Sequence, residues 1–162
     1  MKRLSHTRET GEARMVDVSG KTDTHRIARA TGVIVMSDET LDAIAKNQIK
    51  KGDVLSVARL AGIMAAKRTA ELIPLCHNIP LTDVTVELEV DPSLPGVRAL
   101  AMAATVGRTG VEMEALTAVA TALLTVYDMA KSMDRGMKIG EIALTEKSGG
   151  RSGDWKRVPG NP

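Results

Sequence analysis

A chain of 162 residues with 43% apolar content is long enough for one domain with a real core. Its 22 Lys and Arg against 20 Asp and Glu leave a net charge of +2, so no bulk positive field draws it to nucleic acid or membrane, and any anion site must be built locally. The single cysteine excludes an intramolecular disulfide framework, and "MKRLSHTRETGEARM" has no apolar run to act as a signal peptide, so a soluble cytoplasmic protein is expected.

Residues 1–24 are polar and charged, and predict a flexible arm, disordered or ordered only by a partner. "HRIARATGVIVMS", His25 to Ser37, reads as a strand. Ser37 or Asp38 caps a short helix through Asn47, and Gly52 stops it before a new start at Asp53. "DVLSVARLAGIMAAKRTAELI" then recurs at helical spacing, with Val54, Val57, Ala58, Ala61, Met64 and Ala65 on the expected inward face. Pro74 ends that helix and, with Pro80, brackets the loop "LCHNI". "TDVTVELEV" alternates as a strand should, with Val84, Val86, Leu88 and Val90 inward. After the turn "DPSLPG", "VRALAMAATV" returns as its antiparallel partner and is broken at Gly107 and Gly110.

"VEMEALTAVATALLTVYDMAKSM" predicts a long amphipathic helix with Leu116, Val119, Ala120, Leu123, Tyr127 and Ala130 toward the core. Its most apolar part, Ala115 to Tyr127, is 13 residues with three threonines, too short and too polar to span a membrane. "KIGEIALTE" is a last strand, and residues 148–162 form a Gly-rich polar tail. The order β-α-α-β-β-α-β predicts an α+β domain over residues 25–147. We expect a ferredoxin-like split β-α-β with an extra short helix, its antiparallel sheet packed against helices. With no phenylalanine, one Trp and one Tyr, the core must be Ala, Val, Leu and Met.

Several constellations carry chemistry. Cys76 and His77 sit together in the stiffened loop, but one Cys with three scattered His (His6, His25, His77) does not make a structural zinc set. A lone Cys is more often a small buried hydrophobe than a nucleophile, whereas a loop after a helix is a usual place to present a His. Asp128 and Lys131 are three apart on one helix face, which suits a surface ion pair or, if partly buried, an acid/base couple. Glu112 and Glu114 open the same helix, where acids are favoured by the dipole and can also accept from amino or amide groups such as those of guanine. Lys51, Lys67 and Arg26 lie at element edges. "KSGG", from Lys147, joins a cation to glycines whose amides can hold an anion.

Taken together, "MVDVS", "KGDV", "AAKRT", "LIPLCH", "TGVEMEALTA", "YDMAKSMD" and "KSGGRSGDW" resemble, in order and spacing, the cyclic pyranopterin monophosphate synthase family of molybdenum cofactor biosynthesis, from about Met15 to Trp155. The resemblance implies a lyase acting on a cyclised dihydro-GTP supplied by a radical S-adenosylmethionine enzyme. The product is a tricyclic pterin with a cyclic phosphate, and pyrophosphate is released. It implies Asp128 as an active-site residue, Leu75, Cys76, His77, Met113 and Glu114 as the substrate site, and Lys51 and Lys131 as proton-transfer or phosphate-contacting groups. Arg26, Lys67 and Lys147 become charge partners of the triphosphate. Histidine and a lysine in an apolar site suit the proton transfers that such a rearrangement needs. No resident metal or redox cofactor is implied, and magnesium accompanying the triphosphate stays open. The sequence departs from the family in one place, where Asn78 and Ile79 stand between His77 and Pro80.

Helical rise puts Glu114 and Asp128 about 21 Å apart along one helix, too far for one compact nucleotide to touch both at contact distance. Either the triphosphate stretches between them or a second copy supplies the other half, so a site at an interface of a symmetric homo-oligomer is expected. The resemblance separately implies a hexamer built as a trimer of dimers. The competing expectation is a small KH-like RNA-binding module using "GRTG", Gly107 to Gly110, as a backbone clamp. The lack of aromatic stacking platforms counts against it.

Overall fold

Twelve residues of β1, Thr24–Val35, hold the middle of the molecule. Ala28, Ala30 and Ile34 are almost completely buried there, and a strand hidden this well needs partners on both edges. In the computed structural model, which describes residues 15–151 and 153–158, β1 is followed by α1 (Asp38–Ala45), α2 (Val54–Ala66), α3 (Thr69–Leu72), β2 (Asp83–Asp91), β3 (Gly96–Gly107), α4 (Glu112–Ala130), β4 (Lys138–Ser148) and β5 (Trp155–Lys156). The sheet runs β2-β3-β1-β4-β5, and every neighbouring pair is antiparallel. Its first four strands make the split β-α-β arrangement expected from the sequence. The short pair of β5 residues adds to the outer edge of β4, inside the stretch read as a polar tail.

Turn and cap chemistry sets the boundaries. Ser37 accepts from the Thr40 amide to start α1, and Asp53 accepts from the Ser56 amide to start α2. Gly52 stands just before α2 at φ +103°, a left-handed conformation that glycine adopts without strain. The Met36 amide donates to the Pro95 carbonyl and the Ser37 amide to Asp134, tying the end of β1 to neighbouring loops. The β1–β4 register slips between Arg29 and Ala30 and again between Thr31 and Val33, and Glu141 in β4 has φ +52°. These are bulge features, and they twist this half of the sheet.

Two helix faces differ from the sequence expectation. In α2 the buried residues are Val54, Ala58, Gly62, Ala65 and Ala66, whereas Val57 and Met64, expected inward, are exposed together with Leu60. The reason is the closeness of α2 to α4. A Cβ on Gly62 would stand 2.8 Å from the Ala118 carbonyl oxygen and 3.3 Å from Ala122 Cβ, so only the smallest residues fit at the crossing. Val57, Leu60 and Met64 turn outward. The helix also ends sooner than expected, at Ala66, and the remaining turn is the separate α3.

In α4 the buried arc is Glu114, Ala115, Ala118, Val119, Ala122, Leu123, Val126, Met129 and Ala130. Leu116, Ala120 and Tyr127, expected in the core, are only half-buried. Packing against the sheet on one side and α2 on the other rotates the buried face. By length and apolarity α4 could cross a membrane, but Ala115, Ala118, Val119, Ala122, Leu123 and Val126 are fully buried against the rest of the chain. It is a core helix.

Candidate active site

Two clusters of reactive side chains lie at opposite ends of α4. The first forms where the His77 loop meets the start of that helix. The Cys76 amide donates to Ile73 O, closing the turn after α3. Thr105 of β3 donates its hydroxyl to Pro80 O at 2.7 Å, and the Thr82 amide donates to Ala104 O. The loop is thus fastened to the sheet on its far side, and Ile79, one of the two residues interposed before Pro80, lines the cavity below it. His77 donates from Nε2 to Val16 O at 2.8 Å, because a carbonyl can only accept. That leaves Nδ1 as the nitrogen available to accept a proton.

The cavity, about 450 Å³, is of small-molecule size and is lined by Val16, Val18, Lys21, Leu75, Cys76, His77, Ile79, Thr109, Gly110, Glu112, Met113 and Glu114. Leu75 and Met113 are partly exposed at its edge. Glu114 is only 3% exposed, and burial, with the nearby charge of Glu112, pushes its carboxyl up to about 7. Glu112 is ion-paired, 3.3 Å from Lys147 Nζ. The two adjacent acids therefore differ: one ion-paired, one close to an even balance of acid and carboxylate at neutral pH. Burial, and then the charge of Glu114, raise the Cys76 thiol, which argues against a thiolate nucleophile and for a wall residue.

The second cluster closes the other end of α4. Asp128 accepts from Lys131 Nζ at 2.6 Å and from Lys51 Nζ at 2.9 Å, and Lys51 also donates to the Asp128 carbonyl at 2.9 Å. These two ammonium groups hold the Asp128 carboxyl down at about 2. It is a carboxylate at any physiological pH, holding two lysines at one exposed point. The sequence placed Asp128 with Lys131; the structure adds Lys51 from the turn before α2.

Arg26 occupies a second cavity of about 440 Å³ with Gly20, Lys21, Thr22, Thr24, Gly150 and Arg151. It donates from Nε to Gly107 O at 2.8 Å and from Nη2 to Arg108 O at 3.1 Å. Lys67 caps α2 and lines neither cavity. The Gly107–Gly110 loop, read as an RNA clamp in the competing expectation, instead joins β3 to α4. Its Arg108 donates from Nη1 to Ser19 O and lies 3.4 Å from Asp23, so it anchors the segment before β1. The RNA-binding reading finds no support here.

Sequence reasoning missed Val16, Val18 and Lys21 as cavity residues. The motif "MVDVS" was the available signal for Val16 and Val18, with Lys21 two residues beyond it, but its polar surroundings concealed a structural role. Among the described residues no group of three or more His, Cys, Asp or Glu could hold a metal ion.

The fold and these clusters define an α+β chain with an acid-and-imidazole cavity at one end of its core helix and a lysine–aspartate–lysine cluster at the other. Residues 15–150 match the MoaC family, and the chain belongs to that family. It is similar to proteins named cyclic pyranopterin monophosphate synthase from Brucella ovis, Brucella melitensis and Brucella abortus. Each is 58% identical over 153 residues, covering 94% of this chain and 93% of the relative.

Proposed function

We propose that this chain is a cyclic pyranopterin monophosphate synthase of molybdenum cofactor biosynthesis, a cytoplasmic lyase. It converts the cyclised dihydro-GTP to the cyclic pyranopterin and releases pyrophosphate. The observation that carries the reading is the family match, together with identity to synthases over nearly the whole length of both chains. The geometry agrees with the chemistry. A buried carboxyl near neutrality beside a carboxylate can read the amino and amide groups of a guanine-derived ring. His77 offers Nδ1 for a proton, and Lys51 and Lys131 are held ready by Asp128 for proton transfer or phosphate contact. Arg26, in the second cavity, neutralises the triphosphate, with charge added by Lys147, which is ion-paired with Glu112 and lines neither cavity. Lys67, outside both cavities, joins them only if a second copy contributes it.

The same reading favours more than one copy. Two half-sites about 21 Å apart on one helix cannot both touch one ring system, so either the triphosphate stretches between them or a second copy supplies the other half. We propose the second, with the cavity end of one protomer facing the lysine cluster of another; the family resemblance separately implies a hexamer built as a trimer of dimers. The exposed apolar residues Val57, Leu60 and Met64 on α2 support an interface on that side. The upstream radical S-adenosylmethionine enzyme supplies the substrate. Supplying the cyclised dihydro-GTP and following pyrophosphate and pterin, beside an Asp128→Ala control, tests the function. Conversion by the wild type alone is expected, and unchanged substrate would remove the reading.

A further inference from the structure

The two cavities described above have one lining residue in common, Lys21. Their chemistries differ. The first has the apolar walls Val16, Val18, Leu75, Ile79 and Met113 with the acids Glu112 and Glu114, as suits a ring. The second has three cationic side chains, Lys21, Arg26 and Arg151, and no acid. It is built rather than incidental. Arg26 is fixed by the carbonyls of Gly107 and Arg108, and a Cβ on Gly150 would press on the Arg26 guanidinium. Gly149 is pressed against the His25 carbonyl in the same way, and both glycines have positive φ, 90° and 78°. Thr24, which also lines this cavity, has a buried hydroxyl with no partner among the described residues. An orphaned hydroxyl among guanidinium and ammonium groups is what a bound polyanion would satisfy.

A ligand filling both cavities is a ring system carrying a chain of phosphates, and the point where the two parts meet lies beside Lys21. Among the described residues the Lys21 ammonium has no ion-pair partner, while its own amide closes a turn on Val18 O at 3.0 Å. We propose that Lys21 is a catalytic residue for the cyclic phosphate closure, its ammonium placed at the bridge between the innermost and second phosphates. This deepens the proposed function and rests on it. In that step a sugar hydroxyl oxygen forms a bond to the innermost phosphorus, and the bond from that phosphorus to the bridging oxygen breaks. Pyrophosphate leaves with the electron pair, and the hydroxyl proton ends on the pyrophosphate. Negative charge grows on the bridging oxygen, where an adjacent ammonium stabilises it. The second cavity holds the departing pyrophosphate.

The test compares wild type, Lys21→Met, Lys21→Arg and Arg151→Met with the cyclised dihydro-GTP, scoring kcat and KM for pyrophosphate release. Lys21 is exposed, so matched thermal melts of the variants confirm folding. Lys21→Met is expected to lose kcat by about 100-fold or more, with Lys21→Arg recovering most of it. Arg151→Met raises KM, and inorganic pyrophosphate inhibits it less than it inhibits the wild type. A Lys21→Met enzyme with kcat within about threefold of wild type, or with only KM changed, overturns the assignment of Lys21 while the synthase reading stands. A wild type that releases no pyrophosphate overturns both.

Discussion

Glu114 and Asp128 show how one functional group, the carboxyl, is set to two titration ranges by its surroundings. Glu114 is buried and its carboxyl is raised to about 7, from an ordinary value of 4.5. The folded chain therefore holds a proton that the unfolded chain has already lost between these values. Stability should fall as pH rises from about 4.5 to about 7 and level off above, by an amount on the order of 3 kcal/mol. Glu114→Gln removes this dependence. Urea unfolding at fixed protein concentration from pH 5 to pH 8 should show a declining midpoint for the wild type and a nearly flat one for the variant. Parallel declines would mean that other groups carry the effect. Asp128 behaves in the opposite sense: its lysine pair is intact at neutral pH and is lost only as pH falls toward 2. If its carboxylate serves the proposed reaction by organising two ammonium groups, Asp128→Asn should lower kcat by at least about 100-fold while leaving the melting temperature within a few degrees. Equal activity of the two forms would assign the cluster a structural role.

At the level of elements, α4 and α2 divide the work. Their crossing at Gly62, Ala118 and Ala122 allows no larger residue, and Gly62→Val should destabilise the chain by about 2–3 kcal/mol, read as a lower denaturant midpoint with unchanged slope. Periodicity located both helices and half of each buried face: Val54, Ala58, Ala65, Val119, Leu123 and Ala130 are buried as expected, while the other expected positions lie toward the flanks or in solvent. A pattern of Val57, Ala61 and Met64 looks like a core stripe until close packing reserves the inner side for Ala and Gly. The strands were legible because β2 alternates cleanly: Val86 and Leu88 are buried, and Glu87 and Glu89 are exposed. The segment before β1 was the element sequence reasoning left without a role. Its Val16 carbonyl holds His77 and its Ser19 carbonyl is held by Arg108, contacts 61 and 89 residues apart that no local pattern announces. Residues 1–14 lie outside the described part of the chain.

For the molecule as a whole, the length of one helix sets the two clusters apart. The sequence motifs named residues of both clusters, and helical rise separated them into two sets. If a second copy closes the gap, it does so through surfaces that a linear pattern does not encode. If the α2 face joins copies, Leu60→Asp should reduce the assembly to smaller species in sedimentation velocity and lower activity with it, while secondary structure is kept. An unchanged sedimentation profile would move the interface elsewhere. The most direct measurement mixes Glu114→Gln chains with Asp128→Asn chains, each inactive alone, after demonstrated subunit exchange, and assays pyrophosphate release. Sites shared between copies predict recovery of a sizeable fraction of wild-type activity, since some interfaces then pair two intact half-sites. No recovery would contradict the shared site.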